Sequence, residues 1–400
     1  MPKILHAFLG GHHVGVFEWL AEATGADDPR VGFRYDTDYR GAPLSLSLPL
    51  DGTWHEEAPF NWLDNLLPES DEARERLAHV CGVASDTHGL LSALGEDMAG
   101  AASLSLDANL PDREPAPLLL ASADDIAYRI ATLRRDPSAP PAHERPRFSL
   151  AGQQAKFSLS KIGGSWFWST YEYPSTHIFK PASRQHAGAD EAEYACLELA
   201  RELGIESSHS SVAQFRGQRA FCVERWDRLD GVRLLAEDVV QALGMPGYEK
   251  YGLPAEEVVP LMRRYGQEWA FVRQLAFNTA VGNSDAHGKN YSLLFAKDQA
   301  RLAPLYDVLP LSLWPEYDQR VSMHIDGAFH PGQINAHRWA SFARTNALDE
   351  ARLLDDVRHI YRHVAERLPD ALAAADLPAV QVDRASAFVR EKILPTGLAT

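Results

Sequence analysis

The chain has 400 residues, 45% of them hydrophobic and 24% charged, which is enough apolar material for a large core shared between two or more lobes. Its 39 Lys and Arg against 55 Asp and Glu leave a formal net charge of −16, so the overall surface field repels polyanions and argues against unaided nucleic-acid binding. Cys81, Cys196 and Cys222 form no CxxC pair; they read as reduced core residues and carry no zinc signature.

The opening MPKILHAFLGG is too short an apolar run for a secretory segment, and no window approaches the roughly 20 apolar residues that cross a bilayer. A cytoplasmic protein with no membrane partner is expected. Gly10-Gly11-His12-His13 between apolar stretches predicts a hairpin over Ile4 to Trp19, with both histidines on the surface of its turn. Leu44 to Leu50 alternates leucine with smaller residues and predicts a strand with one buried face, ended by Pro49. Helical patterns follow over 71–80 and 87–94, and Ser122 is placed to cap a helix carrying Ile126, Ile130 and Leu133.

Residues 136–147, DPSAPPAHERPR, hold four prolines and almost nothing apolar, so they read as a linker. The expected division is an α/β amino-terminal domain over 1–105, a helix and Pro-rich linker over 106–147, and a second domain over 148–400. In that domain RFSLAG, KFSLSKI and THIFKP are strand-like, a helix runs from about 191 to 203 before Gly204, and a hairpin turns at Arg216-Gly217-Gln218. Helices are expected over 236–243, 254–265, 267–281, 348–367 and 380–392, with a short hairpin at 291–306. Strands first and helices later describe an α+β, two-lobed domain, its β-rich lobe over about 148–228 and its helical lobe over about 229–400.

The strongest chemical signal is Gly282-Asn283-Ser284-Asp285-Ala286-His287-Gly288-Lys289-Asn290. A Walker A loop needs four residues between its glycines and Ser or Thr after the lysine; five residues and Asn290 exclude it. A kinase catalytic loop instead needs an Asp to accept the substrate hydroxyl proton and, five positions on, an Asn to hold a metal ion, which is the spacing of Asp285 and Asn290. A second metal carboxylate belongs after the next hairpin, where Asp307 stands. Lys289, between base and metal ligand, is a candidate to neutralise charge on the transferred phosphoryl group. An ATP kinase also needs a strand lysine for the α and β phosphates; Lys180 ends such a strand, and Glu191 or Glu193 on the next helix is available to orient it. Glu224-Arg225-Trp226 lies where the chain passes between lobes and backbone groups can meet an adenine edge. Alone, Asp285, Gly288 and Asn290 would be a common turn composition, but a turn does not account for Asp307 or for the upstream lysine strand.

Taken together, Ser149 to Lys156, the Lys180 strand, ERWDR at 224–228, QALGM at 241–245, DAHGKN at 285–290 and LYD at 305–307 resemble the HipA family of serine/threonine kinases. Leu44 to Leu50, NLLPE at 65–69 and GLLSALGED at 89–97 resemble that family's amino-terminal domain. The resemblance implies the ATP- and Mg-dependent toxin kinase of a type II toxin–antitoxin pair, acting on a translation component such as an aminoacyl-tRNA synthetase. It implies a HipB-like helix-turn-helix antitoxin as partner, through which alone DNA is contacted. It further implies that Ala151, Gly152, Gln153, Gln154, Ala155 and Lys156 form the loop over the ATP phosphates, and that Glu224, Arg225 and Trp226 form the adenine hinge. His287, Gly288, Lys289, Asn290, Tyr306 and Asp307 would complete the nucleotide site, with Asp285 as base, Asn290 and Asp307 on the metal, and Ser149 autophosphorylated. Ala192 and the Gln154-Ala155 pair depart from the family pattern; the second removes a carboxylate near bound phosphate. Two rival readings are a small-molecule kinase of related fold and a corepressor with a vestigial nucleotide pocket.

Overall fold

The computed structural model describes residues 3–20, 30–95, 98–109, 117–137, 139, 155–170, 172–182, 186–296 and 299–399. Ser149, Ala151, Gly152, Gln153 and Gln154, the RFSLAG segment and most of the Pro-rich linker lie outside the described residues.

The amino-terminal sheet is antiparallel with order β3-β2-β1-β4, where β1 is Ile4–Leu9, β2 His12–Trp19, β3 Val31–Tyr35 and β4 Ala102–Ser105. Gly10 and Gly11 make the expected turn at φ 56° and 84°, a region that glycine enters without a Cβ clash. Helices α1 (Ala58–Asp64), α2 (Asp71–Cys81) and α3 (Thr87–Leu94) follow. Leu5, Phe17, Trp62, Leu63 and Leu90 join sheet and helices in one core. Two expectations change here. His13 is in β2 rather than in a surface turn, and its ring bridges His6 Nδ1 at 2.8 Å and Asp36 Oδ2 at 2.7 Å. Leu44 to Leu50 forms no extended strand; the segment folds back through an isolated bridge between Ser45 and Leu48. Its alternation still buries Leu44 and Leu48, but Glu237 of the other domain pins the Ser45 hydroxyl and the Leu46 amide, at 2.5 and 2.9 Å, where a sheet partner would otherwise bond.

Ser122 and Asp125 make a reciprocal capping box at the start of α4 (Ala123–Arg135), which satisfies amides that the helix cannot bond internally. The helix lays Ile126, Ile130 and Leu133 on one face of a five-stranded antiparallel sheet, against Phe157, Leu159 and Phe179. That sheet has order β6-β5-β7-β9-β8, with β5 Phe157–Ile162, β6 Ser165–Trp168, β7 His177–Lys180, β8 Ser210–Phe215 and β9 Gln218–Glu224. Its other face meets α5 (Ala189–Glu202), whose Ala192 and Cys196 share a core with Phe221 and the helical lobe.

The helical lobe gathers helices Ala255–Arg263, Glu268–Val281, Ala336–Thr345, Glu350–Ala374 and Ala379–Phe388. The helix expected over 236–243 splits. Ala236–Asp238 is a strand paired with Ser292–Ala296, and a short helix, Val239–Ala242, begins at a capping box between Asp238 and Gln241. The Asp238 side chain accepts from the Gln241 amide and so ends the strand where the helix begins. The amino-terminal domain is bonded to this region at several points: Asn61 and Asn65 donate to the carbonyls of Gly244 and Met245, both at 2.9 Å. Buried Asp227 accepts from the Gly100 amide at 2.9 Å.

Candidate active site

Helix Glu268–Val281 ends on Gly282 at φ 77°, where a Cβ would lie 2.7 Å from the Phe388 ring; only glycine releases the chain into the loop that follows. Within that loop a Cβ on Gly288 would lie 2.8 Å from Val240, so the turn that presents Asn290 also needs glycine. The next two strands, Ser292–Ala296 and Gln299–Leu302, form the expected hairpin and return the chain to Asp307. That residue sits at φ 57°, a left-handed conformation that Asp and Asn tolerate better than most residues.

These segments meet β7 and α5 in one cleft. Lys180 Nζ lies 2.8 Å from Glu193 Oε1 and 2.6 Å from Asp307 Oδ1. Asn290 Nδ2 donates to Asp307 Oδ2 at 3.3 Å. The structure therefore selects Glu193 as the orienting carboxylate; Glu191 pairs with Arg219 instead. Partial desolvation disfavours charge on Asp307, whose side chain is half exposed, but the Lys180 and Lys156 ammonium groups outweigh it and hold the carboxyl well below the usual range. For Lys180 burial is likewise outweighed, by Asp307 and Glu193, and the ammonium is held more firmly than usual. Lys156 goes the other way, pushed down to about 8 by burial and by Lys180. Asp307 takes the larger share of the Lys180 charge, so burial raises the Glu193 carboxyl to about 7 against the pull of that lysine.

The Glu193 shift carries a prediction. A carboxyl with a raised folded pKa adds stability that is present below its unfolded value, near 4.5, and lost as pH rises through about 7. Activity should run oppositely, rising through about 7 as Glu193 ionises and fixes Lys180. Glu193→Gln should lower kcat/KM for ATP about tenfold above pH 7, remove that acid limb, and leave the melting temperature at pH 8 unchanged or higher. A pH–rate profile beside a thermal melt separates the two effects.

Asp285 lies on the loop with its Oδ1 accepting from Tyr251 Oη at 3.1 Å. Burial, then the nearby Asp307 charge, raise its pKa, which strengthens it as a proton acceptor. His287 is held neutral, at about 3, by burial and by Lys250. Tyr306 donates to the Lys289 carbonyl at 2.8 Å, and its ring lies 5.3 Å from that of Trp226.

Three expected roles change. Lys289 does not face the cleft: its ammonium donates to the Asn65 carbonyl at 2.9 Å and to Asn65 Oδ1 at 3.1 Å, with Glu69 at 3.8 Å. The tight turn at Gly288 and the strong acceptors of the amino-terminal domain draw it there. The Arg225 guanidinium is buried against Asp227 Oδ1 at 2.9 Å and Ser175 Oγ at 2.9 Å. The Glu224 and Arg225 amides are already bonded to the carbonyls of His209 and Thr176, and of these hinge residues it is Trp226 whose ring packs beside Tyr306. Residues that sequence spacing missed are Tyr251, which donates to Asp285, and Asn65 and Glu69, on the loop from another domain. Separations in sequence of 34 and 224 residues leave no local pattern from which to find them.

The Lys289 placement gives a second expected result. Lys289→Met leaves the Asn65 carbonyl without this donor, should cost about 1–3 kcal/mol of stability, and should lower kcat about tenfold as the loop bearing Asp285 and Asn290 loses its tether. KM for ATP should hardly change, whereas a phosphate-binding lysine would raise it; steady-state kinetics in ATP decide.

Asn290 Oδ1 is buried with no hydrogen-bond partner among the described residues, and it flanks the Asp307 carboxylate, half of which is exposed to the cleft. Among the described residues no three His, Cys, Asp or Glu side chains gather to hold a metal. One carboxylate and one amide oxygen nevertheless fit Mg²⁺, which commonly takes one or two protein oxygens and completes its shell with phosphate and water.

The lysine strand, the helix carboxylate, the loop with Asp285 and Asn290 and the hairpin leading to Asp307 define a two-lobed, kinase-like protein with an added α/β domain. Comparison with known proteins places it further. The HipA N-terminal domain family model matches residues 5–105, and the HipA-like C-terminal domain model matches 148–372. The serine/threonine-protein kinase toxin HipA of Shewanella oneidensis is 30% identical, over 96% of this chain and 92% of its own. A putative kinase of Sinorhizobium fredii, Y4mE, is 31% identical over 90% and 94%. Among solved structures, the Shewanella oneidensis complex of HipA, HipB and operator DNA matches with a TM-score of 0.80 and 27% identity over 99% of both chains. The chain belongs to the HipA family. Among the described residues no helix is long and apolar enough to cross a membrane.

Proposed function

We propose that this protein is an ATP- and Mg²⁺-dependent serine/threonine protein kinase that acts as the toxin of a HipBA-like toxin–antitoxin pair. The observation that carries the reading is the meeting of Lys180, Glu193, Asp307 and Asn290 in one cleft beside Asp285. Lys180 grips the nucleotide's α and β phosphates, and Lys156 adds a second positive charge nearby. Trp226 and Tyr306 offer aromatic surface to the base. Asn290 Oδ1 and Asp307 would hold the metal ion, whose bound charge offsets that of the phosphates. As the acceptor oxygen bonds to the γ-phosphorus and the bond to the ADP oxygen breaks, the acceptor proton passes to Asp285, whose raised pKa suits it to receive one.

The acceptor is a protein of the translation machinery such as an aminoacyl-tRNA synthetase, and Ser149 is a site of autophosphorylation that adds negative charge beside the phosphate loop. A HipB-like helix-turn-helix antitoxin restrains the kinase and supplies the DNA contacts, in keeping with the net charge of −16. The cell compartment is the cytoplasm.

The test is transfer of radiolabelled γ-phosphate by the purified chain, with growth measured on its expression alone and with the helix-turn-helix protein encoded beside it. Labelled protein and antitoxin-reversible growth arrest are expected. Label appearing on metabolites and on no protein would make this a small-molecule kinase, and growth arrest without any transfer would make it a binding module.

A further inference from the structure

Beside Asp285 is a cavity of about 460 Å³ that none of the nucleotide-site residues above fills. Its apolar walls are Tyr251, Leu311, Tyr317, Val321 and Phe329. Tyr251, Tyr317 and Phe329 are 48%, 38% and 38% exposed, an unusual concentration of open aromatic surface beside a proton acceptor. The far wall is tied to the catalytic loop: Ser284 Oγ donates to the Asp318 carbonyl at 2.8 Å, and the Ser284 carbonyl accepts from Ser322 N and Oγ at 3.1 and 2.5 Å. The cavity is therefore held in register with Asp285, as a preformed site requires.

Its charge decides what it suits. Arg320 is the cation on its rim, and both Nε and Nη2 are bonded to Asp318 Oδ2, at 2.8 and 2.6 Å. The pair is neutral as a unit, which leaves the Asp285 carboxylate, facing the acceptor hydroxyl, as the charge on the lining; an acidic side chain is disfavoured there, while the aromatic walls favour an apolar one. The volume exceeds what a seryl hydroxyl needs and leaves room for a neighbouring side chain.

We infer that this cavity seats a residue flanking the acceptor hydroxyl, and that it selects a neutral apolar or aromatic side chain there. The inference rests on the kinase reading and adds to it a substrate class: Ser or Thr within an extended segment next to Phe, Leu, Met or Tyr. In this arrangement the acceptor hydroxyl approaches the Asp285 carboxylate while the flanking side chain packs between Tyr251 and Phe329.

The probe is a synthetic peptide library with a single central Ser and randomised flanking positions, phosphorylated by the full chain with labelled ATP. At one flanking position apolar residues should be favoured about tenfold or more over Gly, Asp and Lys in kcat/KM. Phe329→Ala should bring the ratio for Phe- and Gly-flanked peptides close to one. Phe329→Lys should shift the preference toward Asp and Glu, a gain that a misfolded variant could not show. Peptides phosphorylated without preference, or with charged residues preferred by the unaltered chain, would overturn the inference and leave the kinase reading standing. No transfer of phosphate to any protein, peptide or metabolite would overturn both.

Discussion

Asp285→Asn is expected to lower phosphoryl transfer about a thousandfold, within the range ascribed to a general base, while ATP still binds. The amide has the shape of the carboxylate and can still accept from Tyr251, so the loop should keep its conformation; what it lacks is the capacity to take a proton. The native carboxyl is raised in pKa by burial and by Asp307, so it detracts from stability as pH rises through its folded pKa. The variant should accordingly melt at the same temperature or higher near neutral pH. Expression of Asp285→Asn should no longer arrest growth. Full growth arrest with a folded, transfer-dead variant would sink the kinase reading and favour a binding module or corepressor.

The second large effect is expected from Asp307→Asn, in which loss of activity should exceed about a hundredfold. Asn is the informative replacement because it accepts the left-handed backbone at φ 57° almost as readily as Asp; alanine would mix backbone strain with the loss of charge. The change removes the carboxylate between Lys180 and Asn290 and with it the better of the two proposed metal ligands. Lys180 keeps Glu193 at 2.8 Å, so its ammonium is not left alone in the interior. The Asp307 side chain is 48% exposed, and water screening should hold the stability cost to about 1 kcal/mol or less. Loss of both ATP-dependent labelling and Mg²⁺-dependent nucleotide binding, with the melt nearly unmoved, is the expected pattern. Undiminished phosphoryl transfer would mean that Asp307 is an ion-pair partner of Lys180 and no more.

Chemistry that depends on short spacing was legible in the chain. Asp285 and Asn290 stand five apart, the spacing that lets one loop present the proposed base and metal ligand together, and Asp307 follows because a two-stranded hairpin has a nearly fixed length. Local capping was legible for the same reason, as at Ser122, where helix and cap lie within one turn. Leu44 to Leu50 shows where such reading stops: its alternation correctly marked Leu44 and Leu48 as buried, but hydrogen bonds donated to Glu237, nearly two hundred positions away, hold its backbone.

Sequence alone determined the family and the lysine strand, and it singled out the residues proposed as base and metal ligands, since each is carried by residues close together or by an order of motifs that the fold preserves. Tertiary structure decided that Glu193 and not Glu191 holds Lys180, that Lys289 tethers the loop to the amino-terminal domain, and that Tyr251 bonds Asp285. The reason is geometric: which of two carboxylates two residues apart on one helix faces a buried ammonium, and which way a lysine leaves a tight turn, depends on groups supplied by distant segments, and those distances exist only once the domains have packed.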